Sequence, residues 1–357
     1  MSITFDYGKH ISFPGILFYL LLFFSLVHTT QSSESVDENE PSMELNEKSE
    51  IDLKAIPYKI IYETYRETDG KDNWELFLIN ADGSNASNLT QTPDLDEMYP
   101  HASPDGTKIC FVTDEKKGKN KVRNVYYMNV DGTGRVKVAD NATYPCWSQD
   151  SKIIAYTMGE FDRYTTRDYA TKGLFLYNIE TGEHRVHPNK TLSHLFNICW
   201  PPEGKWFIAT IHGGMGYDHT NLAIDVTGTK VFDLGLKGCR PDVTRDGKKI
   251  VWSPDDEVLW VADVDLSLSL PRIVNKHLVF AQSGPGIYQQ HADWAPHGQF
   301  IAFSRGPRAG GEGHYPVEPG KLAKGWNICI GDLSGKWVQI TTDGKHNKEP
   351  DWVPISK

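Results

Sequence analysis

The chain has 357 residues and a formal net charge of −10. That acidic balance argues against nucleic acid as its main partner. A chain this long can bury a large core without disulfide or metal staples.

Residues 1–33 read as a targeting segment. Lys9 and His10 precede an apolar run at 11–27, which is short for a transmembrane helix. The region Val27-His28-Thr29-Thr30 matches the small-residue cleavage rule poorly. A removed signal peptide and an uncleaved N-terminal anchor both stay open. The segment implies export to a periplasmic or extracellular space, with membrane contact only if it is retained. Residues 34–54 are acidic and poor in apolar side chains, the composition of a disordered linker. Residues 55–357 form the remaining domain.

Within that domain one stretch keeps returning. Tyr99-Pro100-His101-Ala102-Ser103-Pro104-Asp105-Gly106 leads into the β-branched and aromatic run 107–112. Pro145-Cys146-Trp147-Ser148-Gln149-Asp150, Cys199-Trp200-Pro201-Pro202-Glu203-Gly204, Pro241-Asp242-Val243-Thr244-Arg245-Asp246-Gly247 and Asp293-Trp294-Ala295-Pro296-His297-Gly298 are further copies. Glu349-Pro350-Asp351-Trp352-Val353-Pro354 is half a copy at the end. Repeats of about 45–60 residues indicate a propeller or an array.

Each copy predicts strand, turn, strand. Pro presets φ, Asp bonds the backbone ahead and Gly accepts positive φ. The run that follows suits a half-buried strand. Third runs come at 74–79, 125–130, 174–179, 222–226, 258–262 and 326–330, and short fourth runs close the units, as at 87–90 and 337–341. Four antiparallel strands per repeat make a propeller blade. The first copy lacks its opening strand and begins at Tyr58. The last half copy is an opening strand with nothing after it. Together they complete one blade, so the chain predicts an all-β, six-bladed β-propeller whose C-terminal strand closes the ring.

Five cysteines are present, at 110, 146, 199, 239 and 329. They fall inside strand patterns, about one per blade, and read as buried thiols rather than a disulfide framework. Four glycosylation sequons, beginning at Asn85, Asn88, Asn141 and Asn189, lie in stretches rich in Asn and Thr, where the pattern arises by chance.

The Trp-Ser-Pro-Asp-Gly type of repeat, clearest at Ser103 to Gly106 and Trp147 to Asp150, resembles the WD-like repeats of the TolB-like propeller family over about residues 55–354. The resemblance implies a periplasmic partner protein of the cell envelope. Similar repeats occur in the propellers of prolyl-oligopeptidase-type peptidases and of oligogalacturonate lyases. TolB-like proteins carry an α/β domain before the propeller, where this chain carries its acidic linker. No Gly-x-Ser-x-Gly elbow of a hydrolase domain is present.

Turns between first and second strands are tight and lie on one face. The connections at 157–173, 210–220 and 304–325 read as long loops on the other, as does the linker 275–290, and long loops are where function concentrates. Side-chain alternation along the innermost strands predicts two stacked rings in the central channel. The upper ring is Tyr99, Tyr144, Asn197, Arg240, His291 and Glu349, a candidate ligand-binding set. The lower ring contains Cys146 and Cys199 together with His101, Asp242, Asp293 and Asp351. Those last four could hold one divalent cation, because carboxylates suit hard ions and imidazole tilts the choice toward manganese or zinc. Arg163, His212, His219, Arg305 and His314 are further ligand-binding candidates in the loops. Trp147, Trp200, Trp294 and Trp352 read as wedges between blades.

With no nucleophile–base pair and no recognised metal motif, the expected function is non-catalytic. The chain would be an exported propeller that binds a cell-envelope protein or glycan through its loop-rich face and channel mouth. The alternative is a polysaccharide lyase or hydrolase in which His291 is a base or metal ligand and Arg240 holds a uronate carboxylate.

Overall fold

The structure, a computed structural model, describes residues 51–117, 120–161, 169–281, 284, 286–307 and 325–355. These form six four-stranded antiparallel sheets. Counting blades from the N-terminus, the inner strands are His346–Pro354, Asp96–Ala102, Ala142–Trp147, Leu195–Cys199, Cys239–Val243 and Ile287–Trp294. The C-terminal strand is the inner strand of blade 1 and pairs with Tyr58–Thr68. Both ends of the domain thus meet in one sheet and no inner edge is left open.

The repeated turn works as its residue types dictate. In blade 2, Ser103 Oγ donates to Asp105 Oδ1 at 2.6 Å, and the same oxygen accepts from the Thr107 N–H at 3.0 Å. Ser148 with Asp150 and Thr244 with Asp246 repeat the short hydroxyl–carboxylate bond at 2.6 Å. Gly106 has φ +71°, and a Cβ there would stand 2.1 Å from Pro354 O in the closing strand. Only glycine lets that turn and the closing strand approach so nearly.

The core lies between blades. Ile60, Tyr62 and Phe77 of blade 1 pack against Ile328 and Ile330 of blade 6, with Trp352 among them. Trp352 Nε1 donates to Asp293 O of blade 6 at 3.1 Å, and Trp147 Nε1 to His101 O of blade 2 at 3.0 Å. Burying one such ring removes about 150–250 Å² from water, which is about 4–6 kcal/mol at most. Trp147, Trp294 and Trp352 are buried as expected, whereas Trp200 is only half-buried. The cysteines are free thiols, one in each of blades 2 to 6; all are buried except Cys199, which is half-buried.

Three local expectations need correction. The stretch 210–220 is not a loop. Trp206–Gly214 and Tyr217–Asp225 run on as paired strands, joined by Met215 and Gly216 at φ 50° and 87°. Two positive φ values in a two-residue turn match the strand twist, so the hairpin extends instead of opening. The linker 275–290 is mostly strand, because Arg272–Phe280 and Ile287–Trp294 reach into it from both sides. Residues 51–54, expected in the linker, include part of a short 3-10 turn at Leu53–Ala55, and Ile51 and Leu53 pack on the blade 1 core.

Candidate functional site at the channel mouth

The inner strands do not alternate regularly. In each blade two inner-strand residues oppose one residue of the second strand: Tyr99 and Pro100, for instance, fall between the pairs Met98–Val112 and His101–Cys110. The same shift recurs in the other five blades. These are β-bulges, which bend the strand and re-aim its side chains. At each bulge the first residue is left-handed: Tyr99, Tyr144, Asn197, Arg240, His291 and Glu349 have φ between 45° and 57°. A non-glycine residue there costs about 1–2 kcal/mol. The N–H freed by the bulge can be taken up by the neighbouring blade. Arg240 N donates to Thr210 Oγ1 at 3.2 Å, Glu349 N to Ser304 Oγ at 3.1 Å, and Tyr99 N to Glu63 Oε2 at 2.7 Å.

The lower ring is brought together as expected. His101, Cys146, Cys199, Asp242, Asp293 and Asp351 line one cavity of about 110 Å³ that opens toward the turn face. Its carboxylates are engaged in holding blades together. Asp242 Oδ2 accepts the Trp294 N–H at 2.8 Å, Asp293 Oδ1 the Trp352 N–H at 3.1 Å, and Asp351 Oδ1 the Ala102 N–H at 3.3 Å. Asp351 Oδ2 also lies 2.8 Å from His101 Nδ1. Among the described residues, no three His, Cys, Asp or Glu side chains are grouped so that they could hold a metal ion. Burial, and then the charge of Asp351, push the Asp242 carboxyl up to about 6. Burial and both neighbouring carboxylates hold Asp293 well above the usual range. Burial opposes a charge on His101, but the Asp351 hydrogen bond and charge outweigh it and raise the imidazole. Arg245 of blade 5 reaches over this opening, and its Nη2 donates to Pro104 O of the opposite blade 2 at 2.8 Å.

The upper ring divides. Tyr99, Asn197, Arg240, His291 and Glu349 line a second cavity of about 60 Å³. Tyr144 does not, because its ring is buried in the packing of blades 3 and 4. Arg240 Nη1 pairs with Asp256 Oδ1 at 3.2 Å. His291 Nε2 lies 2.8 Å from Glu349 Oε1, off the line of a hydrogen bond. Burial, and then the charges of Arg240 and Lys348, keep His291 neutral far below its usual range. Burial lifts Glu349 against the pull of Arg240 and Lys348.

Sequence reasoning missed Glu63 and Lys348, which pair across strands with Nζ to Oε1 at 3.1 Å. Glu63 is fully buried, and burial offset by Lys348 places its carboxyl at about 7. In blades 3 to 6 the residue at the equivalent register is Thr157, Thr210, Ser253 or Ser304. A carboxylate in place of a hydroxyl was the available signal.

His212 and His219 are cross-strand partners on the blade 4 hairpin, both exposed, with ring centroids 4.6 Å apart. Tyr169 packs on His212 at 4.6 Å. Phe196, another residue not singled out from sequence, lies 6.3 Å from His219 and 6.1 Å from Tyr144. Arg305 is not at the mouth: its guanidinium lies 4.6 Å from the ring of Trp337, on the outer strand of blade 6. Arg163 and His314 lie outside the described residues, as do residues 1–50 and most of 304–325.

No family model matches this sequence. Among curated proteins, the Tol-Pal system protein TolB of Alcanivorax borkumensis is 31% identical over 107 residues, a match spanning 29% of this chain and 24% of that TolB. Among solved structures, TolB from Acinetobacter baumannii superposes with a TM-score of 0.58 at 18% identity, covering 84% of this chain and 67% of the other. The fold is that of a TolB-like propeller. The fold is also shared more widely. Kuenenia stuttgartiensis hydrazine synthase gives a TM-score of 0.57 at 14% identity, with 84% of this chain and 47% of that one covered. A chain of a nidogen/laminin complex gives 0.56 at 8% identity, covering 84% and 99%.

Proposed function

We propose that this chain is an exported, non-catalytic, TolB-like binding propeller. It takes a cell-envelope protein or glycan on its hairpin face, at the mouth of the channel. The observation that carries this reading is the asymmetry of that mouth. Tyr99 of blade 2 and Phe196 of blade 4 are half-buried rings on either side of the buried Tyr144, while blades 5, 6 and 1 bring Arg240, His291 and Glu349 to a small cavity. The channel below offers two cavities of about 60 and 110 Å³, where a site enclosing a whole small-molecule ligand takes about 300–1,000 Å³. Recognition then falls to the face rather than to the interior. The likeness to TolB supports an envelope partner, and the segment 1–33 supports export.

The test is capture from a cell-envelope fraction by the immobilised chain. His212→Ala and Tyr217→Ala, both on the blade 4 hairpin, should lower capture about tenfold while leaving the melting temperature within about 2 °C. Undiminished capture by both variants would refute this placement of the site.

A further inference from the structure

We infer that the element recognised at this mouth is a neutral, hydroxyl-rich glycan, one hexose unit lying along the ring arc with a hydroxyl lowered between Asn197, His291 and Glu349. This rests on the binding role proposed above and narrows it.

The rings form one chain of contacts. Tyr99 and Tyr144 are 5.6 Å apart, Tyr144 and Phe196 6.1 Å, Phe196 and His212 6.5 Å, and His212 and Tyr169 4.6 Å. Tyr144 is buried within the row, Tyr99, Phe196 and Tyr169 are half-buried, and His212 is exposed. An aromatic face takes up C–H surface, and a sugar ring offers such a face with polar groups at its rim. Across the mouth the polar groups wait for a partner. Asn197 Oδ1 and His291 Nδ1 are buried and find no hydrogen-bond partner among the described residues. The His291 side chain is only 3% exposed. Unanswered buried polar atoms of this kind are normally met by water. A sugar hydroxyl, one donor and one acceptor, can replace that water and keep its bonds.

Size and charge choose among ligands. A cavity of about 60 Å³ holds about two water-sized groups. That admits a hydroxyl or hydroxymethyl group and excludes the large side chain that anchors a protein interface. The cations nearby are already matched, Arg240 by Asp256 at 3.2 Å and Lys348 by Glu63 at 3.1 Å. A uronate carboxylate would therefore meet the Glu349 carboxyl without an uncommitted cation to receive it.

The experiment is titration of the full chain with maltotetraose, cellotetraose, mannotetraose and tetragalacturonate, followed by calorimetry and by saturation transfer to the sugar C–H protons. A neutral tetrasaccharide should bind and tetragalacturonate should bind more weakly or not at all. Tyr169→Ala and His212→Ala should each weaken binding about tenfold. Asn197→Leu, close in size and lacking the acceptor, should do the same; should it fail to fold, the two surface variants carry the test. Tighter binding of the uronate would overturn the inference. So would the absence of any sugar binding while envelope capture still depends on the blade 4 hairpin, an outcome that leaves the binding role standing with a protein as partner. Loss of both would overturn both.

Discussion

Asp242→Asn should stabilise the ring at neutral pH and leave it nearly unchanged in acid. The substitution keeps the size of the side chain and an oxygen for the Trp294 N–H, which Asp242 accepts at 2.8 Å. It removes one charge from a narrow channel shared with Asp293 and Asp351. Burial, and then the Asp351 charge, raise the native Asp242 carboxyl from 3.8 to about 6. A raised carboxyl keeps its proton in the folded state at a pH where the unfolded chain has lost it. The wild-type contribution is therefore fully present below about pH 4 and is lost as pH climbs past about 6. A rise of about two pH units is worth about 3 kcal/mol, an upper figure because neighbouring carboxylates titrate together. The assay is urea denaturation of both chains between about pH 4 and pH 8. Their midpoints should coincide at the acid end, and the variant should lead above about pH 6. A variant less stable than wild type at neutral pH would refute the reasoning. It would mean that the native carboxylate is ionised and met by a bound cation, as the divalent ion expected from the sequence requires. Chelator added to the wild type would then reproduce the loss.

Two further expectations concern the seam between blades 1 and 2. Lys348→Met leaves the fully buried Glu63 without its ion pair; it should cost about 3–5 kcal/mol in urea denaturation, and the double variant Glu63→Gln/Lys348→Met should recover most of that. Gly106→Ala puts a Cβ 2.1 Å from Pro354 O at φ +71°. It should cost about 1–3 kcal/mol, and hydrogen exchange should show the opening concentrated in His346–Pro354.

The blade count and ring closure were legible because turn chemistry is local. Ser-Pro-Asp-Gly makes its bonds within five residues, so each copy declares itself. The bulges were legible too, from a signal that went unread: Pro100, Pro145, Pro241 and Pro350 all follow the left-handed residue. A proline inside a strand belongs on an edge or at a bulge, since it donates nothing to the ladder. Strict alternation still put five of the six upper-ring side chains at the cavity, but it could not show that Tyr144 turns away. The blade 4 hairpin is not legible because Gly213-Gly214-Met215-Gly216 has the composition of a loop, while the positive φ values of Met215 and Gly216 close a two-residue turn. Glu63 and Lys348 were invisible for another reason. Each looks like an ordinary strand charge, and only the pairing of the C-terminal strand with Tyr58–Thr68 brings them together.

Sixfold repetition separates architecture from chemistry. The bulge and the left-handed residue occur in every blade, so neither marks a site by itself; they are how six strands converge on one axis. What differs from blade to blade is the side chain each bulge presents. Tyr, Tyr and Asn follow one another in blades 2 to 4, then Arg, His and Glu in blades 5, 6 and 1. Equal backbone strain is borne at all six positions, yet Arg240, His291 and Glu349 fall together in three adjacent blades. Packing accounts for the two tyrosines, since Tyr144 is buried in the cluster of blades 3 and 4 and Tyr99 packs on that of blades 2 and 3, but not for Arg240, His291 and Glu349. The carboxylates beneath, Asp242, Asp293 and Asp351, fall in the same three blades and stitch the ring together, so the binding role proposed above rests on the side chains at the mouth.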